Sequence, residues 1–481
     1  MESHSAWSIG FMAAALLLAS TVSTMTRNPA NADQRISPIE IAVDPRVELL
    51  SIVFRVAGAQ EYQRGRVSSY SADVDSHFRP FAHHPAVRRV GEIRRRYGIS
   101  HDAVVKLAVH AEDAKTWRAS VPLSAAETLG NRWRADVAEI FLEELRGFAE
   151  TSGFEAFFAA HQSLYAETEA RLKARLATAD LGWLDEFFGE PSGSLRIIPG
   201  MLTGPASYGA TVLRDSGADR YAIVGVEEID ESGRPQFDRA VVESVVHELC
   251  HSYLSPVLKK EAEGFREAGE ALYLSQQPRM EMQAYRSGYT VMNETLTRAC
   301  THRFLLATAT REEVVGDIAY NNSRGFLWIG DVSEVLEGYE ADRDRYSTFA
   351  DYVSELQSFF ARYTRGLPHS AEELEARRPH VVGLVPINGD LDVSPGLEVI
   401  VVTFDRPMRA GTWSVVGGGP KYPATGSPAY DAQRQIFRLP VILEPDREYE
   451  LWLNRGPHMS FASADGTPLA PFRISFQTGS R

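Results

Sequence analysis

DRAVVESVVHELCHSYLSP, residues 238–256, carries a helical apolar stripe and a metal-ligand pattern together, and its reading decides the fold. Val241, Val242, Val245, Val246, Leu249 and Tyr253 recur at helical spacing and make one broad apolar face. Asp238 is the expected N-cap and Pro256 the expected stop, which puts the motif in the last turns of a buried helix. Inside it, His247-Glu248-Leu249-Cys250-His251 sets two imidazoles four residues apart. They stand about 40° from each other around the helix axis and one turn apart along it, so both reach one Zn²⁺. Glu248 falls between them, beside the metal position rather than on it, where it can take a proton from a metal-activated water. So short a pattern arises by chance in about one or two of every hundred chains this long, and its surroundings carry the weight.

Two histidines leave a catalytic zinc site one protein ligand short. Downstream, Glu261, Glu263, Glu267, Glu270, Glu281, Glu294 and His302 are available. Spacing favours Glu270, about one helix-turn-helix after the motif. Local context favours Glu294, which lies in MNETLTRACTHRFLL, residues 292–306, a second helix with Leu296, Ala299 and Phe304 for packing. Arg298, one turn later, is placed to hydrogen-bond the Glu294 carboxylate. An oxyanion partner is also expected, and Tyr208, Tyr289, His302 and Tyr320 all remain open for it. The pair His83-His84 has no matching carboxylate spacing and reads as surface or loop.

The 481 residues are too many for one core of usual size and predict two or three domains. A net charge of -14 without a basic stripe argues against nucleic acid as a partner. Cys250 and Cys300 are the only cysteines, which excludes a disulfide scaffold. Cys250 points about 100° from His251, towards packing rather than metal, and a bridge between the two cysteines stays open. IGFMAAALLLA, Ile9 to Ala19, is short for a membrane span and suits a signal-peptide core, with Ala30-Asn31-Ala32 as cleavage site. No Lys or Arg precedes it, so an uncleaved N-terminal anchor over residues 1–32 is the alternative. Either predicts an extracytoplasmic protein, secreted, periplasmic or on the cell envelope.

Residues 38–366 read as α+β. PRVELLSIVFRVAG, from Pro45 to Gly58, predicts a first helix, and helical texture runs from about Ala125 to Phe188. LRIIPGML (195–202), ASYGATVLR (206–214) and RYAIVGVEEI (220–229) predict strands, with the middle one a candidate edge able to pair with an extended peptide. Strands leading into the motif helix fit the zincin plan. LPHSAEELEARRP, residues 367–379, reads as a linker or short connecting helix. Beyond it, over 380–479, YELWLN and FRISFQT alternate apolar and polar residues, and EVIVVTF is a continuous run suited to a sandwich core. This texture predicts a β-sandwich of immunoglobulin type without the cysteine pair.

VDPRVELLSIVFRVAG, SVVHELCHSYLSP and NETLTRACTHRFL together resemble three signature blocks of domain-of-unknown-function family 4932, a bacterial zincin-like group, over about residues 40–360. The resemblance implies a zincin-like metallopeptidase domain, helical with a small mixed sheet. It also implies Glu294, which opens the E-x-x-x-R-A block ending at Ala299, as third ligand in place of Glu270. PINGDLDVSP, VTFDRPM and LEPDREYELWLN resemble bacterial Ig-like domains of S-layer type, which implies attachment to the cell envelope. The expectation is therefore a zinc metallopeptidase acting on a peptide or protein substrate, with His247, His251 and Glu294 on Zn²⁺ and Glu248 as general base. The alternatives are a catalytically silent surface-binding protein on the same scaffold, or a zinc hydrolase of a non-peptide amide.

Overall fold

The computed structural model describes residues 39–124, 129–130, 132–190, 193–215, 217–455 and 458–480. The expected export signal or anchor at 1–32 lies outside them, and no described helix is long and apolar enough to cross a membrane. The fold is α+β. One apolar cluster runs from Val43 to Leu374, and a second gathers residues between Val393 and Phe476.

The first cluster is organised around helix α1, Pro45–Val56, which the Asp44 carboxylate caps through the Arg46 N–H at 2.8 Å. This helix is buried almost all round, so its polar side chains must find partners inside. Arg46 donates to the carbonyls of Val109 and Ala111, and Arg55 pairs with Asp75 at 2.7 Å. Glu48, fully buried, accepts from the Tyr70 hydroxyl at 2.9 Å and the Met201 N–H at 3.0 Å.

Burial pushes the Glu48 carboxyl up to about 7, against the opposing pull of those two hydrogen bonds. The folded chain thus holds this proton more tightly than the unfolded one. Its stabilising contribution is complete below about pH 4.5 and is lost as pH rises to about 7, on the order of 3 kcal/mol. Glu48→Gln, which keeps a neutral group there, is expected to lose less stability than the wild type between pH 5 and pH 7.5 in urea titrations. Parallel profiles for the two proteins would contradict this.

Four strands form a mixed sheet in the order β1-β2-β4-β3. β1 (Ile39–Ile41), β2 (Ser194–Gly200) and β4 (Gly217–Gly225) are parallel, and β3 (Tyr208–Arg214) runs antiparallel to β4 at the edge. The three strand expectations therefore fall on β2, β3 and β4, and the middle one is the edge. Between residues 135 and 188 the helical texture resolves into four helices: Ala135–Ser152, Phe154–Ala160, Gln162–Leu176 and Gly182–Phe188. Residues 125–128 and 131 of that stretch lie outside the described ones.

The motif helix, Ala240–Lys260, packs on β3 and β4 and corrects two sequence expectations. Asp238 accepts the Ala240 N–H at 2.9 Å, but Arg239 occupies the N-cap and makes no side-chain cap bond. Pro256 does not end the helix, so the metal motif lies near its middle rather than in its last turns. A proline inside a helix deprives the carbonyl four residues back of its N–H, here that of Ser252. The Thr211 hydroxyl, reaching in from β3, donates to that carbonyl at 3.2 Å and replaces the missing bond. Close seating of the helix on β3 also requires Gly209, where a Cβ would stand 2.4 Å from the Glu248 carbonyl oxygen.

A second long helix, Gly288–Thr308, is capped by the Ser287 hydroxyl and packs against both the motif helix and the helix Ala262–Ser275. Its crossing with Ala262–Ser275 is backbone to backbone, since a Cβ on Gly288 would meet the Glu270 nitrogen at 2.4 Å. That contact fixes where the Glu294 turn comes to lie.

The 367–379 stretch contains the helix Ala371–Arg377. Beyond it, Val381–Val385, Val399–Phe404, Ala424–Thr425, Ala429–Tyr430 and Ile436–Ile442 form one antiparallel sheet. Val415–Val416, Glu448–Leu453 and Phe472–Gln477 form another, and both contribute to the second apolar cluster. EVIVVTF is not buried on both faces as its continuous run suggests: Ile400, Val402 and Phe404 are buried, and their neighbours are half-exposed.

Candidate metal centre

His247 and His251 project from the motif helix towards Glu294 on Gly288–Thr308, and the ligand atoms of all three lie within 4.8 Å of one another. His251 Nε2 is 3.2 Å from Glu294 Oε1, and His247 Nε2 is 3.8 Å from Glu294 Oε2. The two imidazole planes cross at 89°. Tetrahedral Zn²⁺ with bonds of about 2.0–2.1 Å holds neighbouring donors about 3.3 Å apart, so spacing and donor chemistry both fit that ion. The histidine side chains keep 20% and 21% of their surface, so the group opens to solvent on one side.

Several residues hold the donors in place. His251 Nδ1 donates to Asn293 Oδ1 at 2.8 Å and has the Thr297 hydroxyl at 3.0 Å, leaving Nε2 for the centre. Arg298 Nε donates to Glu294 Oε2 at 3.1 Å, as its place one turn on predicts. The same guanidinium lies over the Phe326 ring and donates to Asn321 Oδ1. Asn321 in turn donates to Asp317 Oδ1 at 2.7 Å, and Asp317 Oδ2 is 2.5 Å from His302 Nδ1. His302 thus ends a buried chain behind Glu294 instead of serving as a ligand. Tyr285, whose hydroxyl interacts with Glu294 and Arg298, is pushed up to about 12, chiefly by burial.

The electrostatics suit ligation. Burial, helped by His251, lowers His247 to about 3, so it is neutral at ordinary pH. Burial acts against ionised Glu294, but the hydrogen bond and charge of His251, with His247 and Arg298, outweigh it and hold the carboxyl far below its usual range. His251 is also depressed by burial, and Glu294 more than reverses this. Glu248 is pushed up to about 7 by burial and by the Glu294 charge, against the pull of His251 and the Gly209 amide.

Among the described residues no other carboxylate or thiol joins this group. Glu270 stays on Ala262–Ser275, Glu263 pairs with Arg266, and Glu281 accepts from Tyr273 and Gln277. Tyr289 and Tyr320 are about half exposed, while Tyr208 is buried with its hydroxyl 3.4 Å from His101 Nδ1. Cys250 and Cys300 are free and buried. His84 caps the helix Pro85–Tyr97 through Nδ1, and its neighbour His83 is exposed. Asn293 and Thr297 were legible in principle, since both fall within one turn of Glu294. Nothing in the sequence signals Tyr285.

The model of the family described as Domain of unknown function (DUF4932) matches residues 39–358. The chain belongs to that family. The matched region of this DUF4932 chain holds the sheet, the motif helix and the Glu294 helix. No curated protein matches it. Among solved structures, it is similar to the S-layer protein rSbsC(31-844), at 10% identity and a TM-score of 0.17, over 79% of this chain and 46% of that one. The N-terminal part of the bacterial S-layer protein SbsC gives 11% identity and a TM-score of 0.17, over 79% of each chain. The DUF4932 chain thus spans about half (46%) of the first of these, and overlap so poor carries no argument about fold or function.

Proposed function

We propose that the protein is a zinc-dependent metallopeptidase of zincin type, with His247, His251 and Glu294 as metal ligands and Glu248 as general base. The observation that carries this reading is the convergence of the three donors at zinc spacing beside the raised carboxyl of Glu248. Zn²⁺ held by these donors would polarise the scissile carbonyl and acidify the attacking water. Glu248, beside that group, would take the proton of the attacking water and return it to the leaving amine. Asn293 and Thr297 keep the His251 proton on Nδ1, and Arg298 holds the Glu294 carboxylate in its orientation. The free edge of β3 offers an extended peptide a partner for strand addition directly above the motif helix.

The C-terminal sheets, two antiparallel layers around a common core, support reading residues 380–479 as an Ig-like module for cell-envelope attachment. Residues 1–32 are read as the signal or anchor that carries the chain out of the cytoplasm.

Metal removal tests the enzymatic reading. Purified protein should cleave members of a quenched fluorescent peptide library, lose that turnover after dialysis against 1,10-phenanthroline, and regain it with one equivalent of zinc. Turnover that ignores the chelator, or no turnover by fully zinc-loaded protein, would sink the proposal. The second outcome would favour a silent binding scaffold or a non-peptide substrate.

A further inference from the structure

The helix Arg311–Ser323 packs against Gly288–Thr308 in a way its apolar residues do not explain. Of its 13 residues only Asp317 and Asn321 are fully buried, and both are polar. Val314 and Ile318 reach the core only in part, and Val315 is 61% exposed. A helix normally seats itself through an apolar stripe, and burying polar side chains is costly unless each finds a partner. The partners of Asp317 and Asn321 therefore say why the helix sits where it does.

They face a row on Gly288–Thr308: Glu294, Arg298 and His302, four residues apart and so one turn apart along one side of that helix. Asp317 Oδ2 accepts from His302 Nδ1 at 2.5 Å, and Asp317 Oδ1 accepts from Asn321 Nδ2 at 2.7 Å. The Asp317 carbonyl accepts from the same nitrogen at 3.0 Å. With its amide nitrogen held there, Asn321 turns its oxygen to Arg298, whose Nη1 donates to it at 3.0 Å. Arg298 can only donate, so the direction of the row is fixed from Asp317 outward. Its Nε donates to Glu294 Oε2 at 3.1 Å, and the Phe326 ring, 4.6 Å away, closes on the guanidinium. Glu294 Oε1 is left facing His251 Nε2 at 3.2 Å. His302 stands two turns from Glu294, about 12 Å along the helix, so the two are related only through the row.

We propose that Asp317 and His302 are positioning residues for the metal centre: acting only through Asn321 and Arg298, they fix the orientation of the Glu294 carboxylate and so set how tightly the three donors hold zinc. This rests on the zinc reading of His247, His251 and Glu294, and holds whether or not the bound zinc cleaves peptides. A carboxylate on a flexible side chain must be ordered before it can ligate, and a donor already locked in place spares that cost at binding. The helix Arg311–Ser323 is on this account the outer wall of the metal site, seated by the two polar residues that steady Arg298.

The test is the zinc affinity of the metal-free full chain, measured by competition with a chromophoric chelator at a temperature where urea titration shows every variant folded. Asp317→Asn keeps the shape of the side chain but cannot accept from both neighbours, and should weaken zinc binding about 10- to 100-fold. In an Arg298→Met background the same substitution should change affinity by less than about twofold, because its route to Glu294 is gone. His302→Leu should show the same dependence on Arg298 with a smaller factor, and decides the question if Asp317→Asn does not fold. His302→Asn, which can still donate from the Nδ1 position, should recover most of that loss. A merely structural pair would lower stability and leave zinc affinity alone, or weaken zinc by the same factor with and without Arg298. Either result overturns the proposal. If the wild type binds no zinc, the zinc reading fails and takes this proposal with it, whereas zinc binding that Asp317→Asn and His302→Leu leave unchanged removes this proposal alone.

Discussion

Glu248→Gln is expected to bind zinc as the wild type does and to lose about 100- to 10,000-fold in turnover. The amide matches the carboxyl in size and can still accept from the Gly209 N–H, so the motif helix should keep its seat on β3. What it loses is the capacity to take a proton. General-base catalysis predicts that wild-type kcat/KM rises with pH as Glu248 ionises, and that this limb is absent from the residual activity of the variant. Zinc titration and a pH profile on a peptide found in the library screen give both readings. Retained turnover at full zinc occupancy would remove Glu248 from the mechanism.

Glu294→Gln should do something different: it should abolish tight zinc binding and destabilise the fold. A neutral amide is a poor zinc ligand, and the loss should exceed the roughly 10- to 100-fold that follows from removing an outer hydrogen-bond partner. The fold suffers because Arg298, with 12% of its side chain exposed, would be left with the Phe326 ring and Asn321 but no anion. Breaking a buried ion pair from one side costs about 3–5 kcal/mol. Calorimetric zinc titration and urea unfolding of the metal-free proteins separate the two effects. A variant that binds zinc normally would return the third-ligand role to another carboxylate.

The fold was legible where burial follows a simple period. The apolar stripe of the motif helix and the alternation of YELWLN and FRISFQT depend on local spacing alone, and each of these segments forms the expected kind of element. Pro256 was misread because the rule that proline stops a helix assumes an unsatisfied carbonyl, and the Thr211 hydroxyl that satisfies it comes from a strand forty residues earlier in sequence. Spacing favours Glu270 as the carboxylate beside the two histidines. The family resemblance favours Glu294, and it is Glu294 that lies beside them, because the backbone crossing of Ala262–Ser275 with Gly288–Thr308 brings the second helix rather than the first against the histidines.

The central claim is that His247, His251 and Glu294 together hold one zinc ion. Zinc-edge anomalous diffraction from crystals of the purified full chain tests it most directly. The predicted result is a single strong peak per chain, about 2.0–2.2 Å from His247 Nε2, His251 Nε2 and a Glu294 carboxylate oxygen, with Glu248 close by but unbound. No peak at these residues in zinc-soaked crystals, or a peak coordinated by other side chains, would contradict it.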